Sequence, residues 1–372
     1  MSVFGIYSGA ASGAASGAAS GAASAGVGSI AAADALRKSR DAIVNPGDDS
    51  SYPFPLDPTV MPRSATPPHP APDFVTMARP ATPDDLLNRL AHWDDWVVAT
   101  LCLPGLLRPL TFATGASKAS VTMRLNGVAA VTMIRPTFDM FKAQLKDVIA
   151  DAELREDRAS EILMQVNDTW SFWASMLPIG ADKTPATVML ISIAHQFAVQ
   201  VHMRFKHEFA CARPEEYSPQ VQPMIRTPGH GSYPMGHMCE AALTAAVLIA
   251  LTKPTAATVA WNGLSLQLKA LANRIGDNRI VAGVHFQIDL PAGRALGEWL
   301  GSYFITCCQP AVTGGAPFAP VNCDPGSSGQ DPFVVTTGAP QTTSLAAHPE
   351  LNKVWEEARK ELRWLDPDEK RA

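Results

Sequence analysis

The stretch His230-Gly231-Ser232-Tyr233-Pro234-Met235-Gly236-His237 runs into an apolar segment at 241–251, and its reading decides the fold. Glycine and proline punctuate the first part as a turn, and the apolar segment continues as a helix expected over 237–252. Gly236 and His237 therefore stand at a helix N-terminus. Unpaired backbone N–H groups and the positive end of the helix dipole make such a place an anion site, and glycine lets an oxyanion approach the backbone. A histidine there can exchange protons with the anion. Taken alone, the segment reads rather as a turn before a capped core helix with a surface imidazole.

Outward from this helix, the same spacing rules predict helices at 138–177 (with a break), 184–212, 254–275, 278–306 and 347–363. Thr184-Pro185 opens the second of these, and Thr82-Pro83-Asp84-Asp85 opens an earlier one on which Leu86, Leu90, Trp93 and Val97 recur at helical spacing. Strand signals are sparse. The exception is 121–125 and 128–134 around Asn126-Gly127, a dipeptide that accepts positive φ at both turn positions and so suggests one small hairpin. The fold class is mainly α, a helical bundle with long irregular arms at 45–80 and 309–345, both rich in Pro, Gly, Ser and Thr. Ser-Gly-Ala-Ala repeats from Ser8 to Ala23 mark residues 1–27 as a flexible tail. Residues 28–372 are expected to form a single helical domain with its motifs within 184–306.

The 372 residues are 47% hydrophobic and 17% charged, enough apolar side chain for a sizeable core. A net charge of −5 and a pI near 6.0 argue against a nucleic-acid binder, which needs a dense basic stripe. Six cysteines without a CxxC pair indicate neither a disulfide scaffold nor zinc. No apolar run reaches the roughly 18 residues of a spanning helix, and the side chains of the N-terminal repeat are too small for a convincing signal-peptide core. A soluble protein is expected, with the cytoplasm favoured over export.

Two further segments carry chemistry. Lys206 and Arg213 are seven residues apart, about two helical turns, so both cations can project towards one point, and Pro214 places Arg213 near the helix end. By themselves they read as a solvated basic face. Arg279, His285 and Asp289 follow Gly276-Asp277-Asn278, which is expected to cap a helix beginning near Arg279. On that helix His285 and Asp289 would share a face, the carboxylate orienting the imidazole. A plain salt link is the competing reading of that pair. His195 and His202 read as packed core residues, His207-Glu208 lacks the second histidine of a zinc-protease motif, and Cys307-Cys308 read as small hydrophobes. Asp147, Asp151 or Asp168 could brace a pocket from an earlier helix.

Together, Lys206-x6-Arg213-Pro214, Pro234-Met235-Gly236-His237 and Asn278-Arg279-x5-His285-x3-Asp289 resemble the three-part signature of vanadium-dependent haloperoxidases and type 2 phosphatidic-acid-phosphatase-like acid phosphatases. The resemblance implies a pocket for vanadate or phosphate in which Lys206, Arg213, Arg279 and the Gly236 amide hold the oxygens. It implies that His285 ligates vanadium, with Asp289 behind it, and that His237 is the acid–base partner; in the phosphatases the same two histidines become nucleophile and general acid. Met235 stands where the motif has serine, replacing a hydroxyl donor by a thioether, and Asn278 replaces a second serine. Weakened oxyanion affinity is the expected cost of the Met235 change, because one hydrogen bond to a charged group is worth about 1.5–3 kcal/mol.

His230 makes the segment look like the bromoperoxidase form His-x-x-Tyr-Pro-Ser-Gly-His. The resemblance therefore tilts towards vanadate-dependent oxidation of bromide or iodide by hydrogen peroxide, with a small organic acceptor and a homo-oligomeric assembly. The alternatives are an acid phosphatase with a phosphohistidine at His285, and a member impaired by Met235 that only binds an anion or serves as a structural subunit.

Overall fold

The computed structural model describes residues 93–167, 169–254, 258–309, 315–326 and 333–362. The expected tail at 1–27, the arm at 45–80, the helix start at Thr82 and Asp168 lie outside the described residues. The chain runs through helix α1 (Asp95–Leu107), strands β1 (Leu110–Thr114), β2 (Ser120–Leu125) and β3 (Val128–Ile134), and helices α2 (Phe138–Asp151), α3 (Arg155–Asn167) and short α4 (Trp170–Ala174). Helices α5 (Pro185–Phe209), α6 (Pro214–Tyr217), α7 (Gly236–Leu251), α8 (Val259–Val281) and α9 (Asp289–Cys308) follow. Strands β4 (Ala316–Phe318), β5 (Val321–Asp324), β6 (Val334–Thr337) and β7 (Gln341–Thr343) precede helix α10 (Pro349–Leu362).

The fold is mainly α, and its centre is built from α5, α7 and α9, which are buried on nearly every face. Leu190, Ile193, Phe197 and Val201 of α5 and Leu243, Val247 and Leu248 of α7 are all fully buried, the pattern of helices inside a core rather than on its surface. By length and composition the stretch Pro185–Tyr217 could cross a membrane, but 78% of its apolar window is covered by the rest of the fold. Helix α10 shows the contrasting amphipathic pattern: Leu351, Val354, Trp355, Ala358 and Leu362 are buried at spacings of three and four. Its Glu361 carboxylate accepts from the Ala186 and Thr187 amides at 2.8 Å each, capping buried donors of the first turn of α5 that have no partner within the helix.

Helices α7 and α9 approach unusually closely because Gly293, Gly297 and Gly301 repeat every fourth residue on one face of α9. A Cβ at Gly293 would strike the Met235 carbonyl oxygen and one at Gly297 the Cys239 carbonyl oxygen. This close contact fixes the start of one helix on the start of the other: the Met235 amide donates to the Asp289 carbonyl at 3.0 Å.

The structure departs from the sequence expectations at two places. The helices expected at 254–275 and 278–306 are instead α8, continuous through Gly276-Asp277-Asn278, and α9, which begins only at Asp289. Gly276 serves packing rather than capping, since a Cβ there would stand 2.8 Å from the Met238 sulfur. Asn278 donates to Glu161 Oε2 at 2.9 Å and Gln165 Oε1 at 3.0 Å instead of capping a new helix. The second correction is the arm at 309–345, which contains four short strands. They complete a five-stranded sheet in the order β1-β2-β3-β5-β6 and a separate β4-β7 pair. The Asn126-Gly127 hairpin is present, with φ of 48° and 83° at the two positions and Leu125 opposite Val128.

Candidate functional site

Helix α5 ends at Phe209, with Ala210 in the left-handed region at φ 47°, so Arg213 does not share a helical face with Lys206 as its spacing suggested. Arg213 is extended (φ −88°, ψ 159°) immediately before Pro214 and turns back towards the same loop. Both side chains are buried. Lys206 Nζ donates to the carbonyl oxygens of Gly231 at 2.9 Å and Ser232 at 2.8 Å. Arg213 Nε donates to the His230 carbonyl at 3.0 Å, Nη1 to the Val284 carbonyl at 2.6 Å and Nη2 to the Gly231 carbonyl at 3.2 Å. The two cations thus tie together the 230–232 loop and the turn before α9.

Arg213 also meets two imidazoles: Nη1 lies 2.9 Å from His285 Nε2 and Nη2 lies 3.1 Å from His230 Nδ1. A guanidinium can only donate, so each ring nitrogen facing it must carry a lone pair. For His285 this fixes the tautomer: Nδ1 carries the hydrogen and donates to Asp289 Oδ2 at 2.8 Å. The same oxygen accepts from the Phe286 amide at 3.0 Å. The pair does not share a helical face, since His285 lies in the turn and Asp289 is the first residue of α9. Contact comes from the turn folding over the helix start. Burial, then Arg213 and Lys206, hold the His285 imidazole well below its ordinary range, so it is neutral, with the Nε2 lone pair turned to Arg213. Burial pushes the Asp289 carboxyl up to about 6.

The first turn of α7 supplies the next groups. Its N-cap, Met235, makes no side-chain cap to the first amides of α7, where the usual cap would bring a hydroxyl or carboxylate oxygen. Met235 is fully buried, and His237 follows with burial and the Arg279 charge pulling its imidazole down to about 3. Arg279 comes from the last turn of α8, where Nη2 donates to the Ile162 carbonyl at 3.1 Å and to Gln165 Oε1 at 3.0 Å. Its Nε and Nη1, together with His237 Nε2, are buried and find no hydrogen-bond partner. Burial lowers the Arg279 guanidinium to about 10.

Among the described residues, the charged side chains that are buried are Lys206, Arg213, Arg279, Glu240 and Asp289. Three cations against two carboxylates leave an excess of positive charge in a place where unpaired charge is expensive. The excess, the open donors of Arg279 and the uncapped helix start together suit a tetrahedral oxyanion. For vanadate, Arg279 and the α7 amides would be the groups to hold the oxygens, and the neutral His285 ring would be the candidate ligand to the metal. Phosphate meets the oxygen part equally.

Several neighbours were not legible as site residues. His202 and Glu240 pair beneath Gly236, and Gln165 and Glu161 hold Arg279 and Asn278. The spacing of His202 and Lys206, and of Gly236 and Glu240, is four residues in each case and was the available signal. His195 donates Nε2–H to Thr244 Oγ1 at 2.6 Å, as a satisfied core histidine. His207 is exposed, and all six cysteines are free and buried.

No family model and no curated protein matches the chain. A solved structure described as the first bacterial vanadium-dependent iodoperoxidase is similar at a TM-score of 0.36 and 18% identity, over 46% of this chain. The chain spans about half of that protein, 51% of its length.

Proposed function

We propose that this protein is a vanadate-dependent haloperoxidase that uses hydrogen peroxide to oxidise bromide or iodide, the oxidised halide then halogenating a small organic acceptor. The observation that carries the reading is the buried excess of cation at Lys206, Arg213 and Arg279, with Arg279 Nε and Nη1 and His237 Nε2 lacking any acceptor. Bound vanadate would supply a Lewis-acid centre that activates peroxide without a change in its own oxidation state.

The chain's own residues do the rest. Arg279, Lys206, Arg213 and the Gly236 amide neutralise and orient the oxygens, since charge-assisted hydrogen bonds are the strong ones. His285 Nε2, which accepts from Arg213 Nη1, would be the ligand atom for the metal, while Asp289 keeps the hydrogen on Nδ1. His237 is neutral without a ligand, and the negative charge of an oxyanion beside it raises its proton affinity, so it can hold and release a proton at Nε2. His230 shares Arg213 with His285 and so stands at the second edge of the same site. Buried Met235 brings no hydroxyl to this arrangement.

The test is oxidation of bromide and iodide by the purified full chain with orthovanadate and hydrogen peroxide, scored by halogenation of a phenolic dye, beside an acid-phosphatase assay. Vanadate-dependent halogenation that disappears in His285→Ala is expected. Phosphate release without halogenation would transfer His285 to the role of nucleophile and overturn the peroxidase reading.

A further inference from the structure

His202 and Glu240 form a buried polar pair that the reaction above does not use. His202 lies one turn before Lys206 on α5, and its Nε2 is 2.9 Å from Glu240 Oε1 on α7. The imidazole ring is seated against Gly236: a Cβ on that glycine would stand 3.0 Å from His202 Cε1 and 3.2 Å from Nε2. The other ring nitrogen, Nδ1, is buried without a hydrogen-bond partner, so Glu240 is the polar group that orients this ring. One turn further, the Thr244 hydroxyl accepts from His195 and donates to the Glu240 carbonyl at 2.8 Å. The helices run antiparallel there, His202 meeting Gly236 and Glu240 while His195 meets Thr244. A buried carboxylate–imidazole pair is weak stabilisation compared with apolar residues of the same size, so its placement asks for another reason.

We propose that Glu240 is a positioning residue for the oxyanion site, acting through His202. By holding the ring against Gly236, it fixes the first turn of α7 against the last turns of α5, and so sets the Gly236 amide and the His237 imidazole relative to Lys206. Without the carboxylate the ring has no polar contact to choose its rotamer, and the glycine has no fixed neighbour to rest on. This inference rests on the oxyanion reading of the site.

The experiment is calorimetric titration of orthovanadate, and separately of inorganic phosphate, into the full chain. Wild type and Arg279→Ala test the oxyanion reading; Glu240→Gln, Glu240→Ala and the paired change Glu240→Met with His202→Phe test the inference. The paired change fills the same space without polar atoms and is expected to fold, keeping the test valid if Glu240→Ala does not. Glu240→Gln should bind within threefold of wild type, because its amide oxygen still accepts from His202. Glu240→Ala and the paired change should bind at least tenfold more weakly. Binding at wild-type strength by the folded paired variant, or a loss in Glu240→Gln as large as in Glu240→Ala, would overturn the positioning role while leaving the oxyanion reading intact. A wild-type chain that binds neither anion would overturn both.

Discussion

The site has two sides that bury their cations in different ways. On the loop side, the donors of Lys206 and Arg213 reach the carbonyl oxygens of His230, Gly231, Ser232 and Val284, and Arg213 faces two ring nitrogens besides. On the α8 side, Arg279 is buried as deeply but satisfies only Nη2. Equal burial with unequal satisfaction separates two jobs. The loop-side cations hold the loop and the turn in place whether or not an anion is present, whereas the α8-side cation is complete only when something supplies an acceptor.

That difference can be broken by substitution. Arg279→Ala should weaken orthovanadate or phosphate binding by about a hundredfold or more, since two charge-assisted hydrogen bonds are lost, yet leave the melting temperature of the anion-free protein close to wild type. Arg213→Ala should instead destabilise the anion-free protein by about 3–5 kcal/mol, because the His230, Gly231 and Val284 carbonyls and the His285 ring lose a buried partner. Similar effects on stability from both variants, read by urea unfolding, would erase the distinction.

Acid should sharpen it. His237 sits at about 3 in the fold against an ordinary 6.5, and His195, His202 and His285 are lowered as well. Each contributes stability that is present above pH 6.5 and lost as pH falls towards its folded value. Glu240, lowered to about 2, acts in the same direction below 4.5. Asp289, raised to about 6, opposes them, its stabilisation being lost as pH rises from 3.8 to 6. The histidines outnumber it, so the unfolding free energy of the anion-free chain, read by urea, should fall between pH 6.5 and 4 by an amount on the order of several kcal/mol. Saturating phosphate should flatten that fall, because an anion beside His237 favours its protonated form.

Smaller effects concern the helix contact that holds the two sides together. Gly297→Ala would drive a Cβ into the Cys239 carbonyl and should cost about 1–3 kcal/mol in urea unfolding. Met235→Ser should raise oxyanion affinity by about tenfold through a new donor. The same change should cost about 2–4 kcal/mol in stability, since the thioether it removes is fully buried.

How far the sequence was readable follows the range of the forces involved. Pro185, the Asn126-Gly127 turn and the apolar run of α7 act on near neighbours, and each produces the element expected of it. Gly276-Asp277-Asn278 carries the same local signal as a helix cap, yet α8 runs through it because Met238 needs the space above Gly276 and Asn278 finds Glu161 and Gln165 on another helix. The strands within 309–345 span three or four residues each, too short for a period. One of them, β5, pairs in parallel with β3 nearly two hundred residues earlier. Within the site, spacing suggested that Lys206 and Arg213 converge and that His285 meets Asp289. The structure brings each pair together, but through a loop and a turn rather than along helical faces. Glu240 carries the one carboxylate of apolar α7 and gave no sequence signal of its own, since only the antiparallel packing of α5 and α7 gives it His202.

The most direct test of the account is calorimetric titration of orthovanadate into the full chain and into Arg279→Ala. One oxyanion should bind per chain, competed by phosphate and lost in a variant that melts like wild type. Absence of binding in wild type, or undiminished binding in Arg279→Ala, would contradict it.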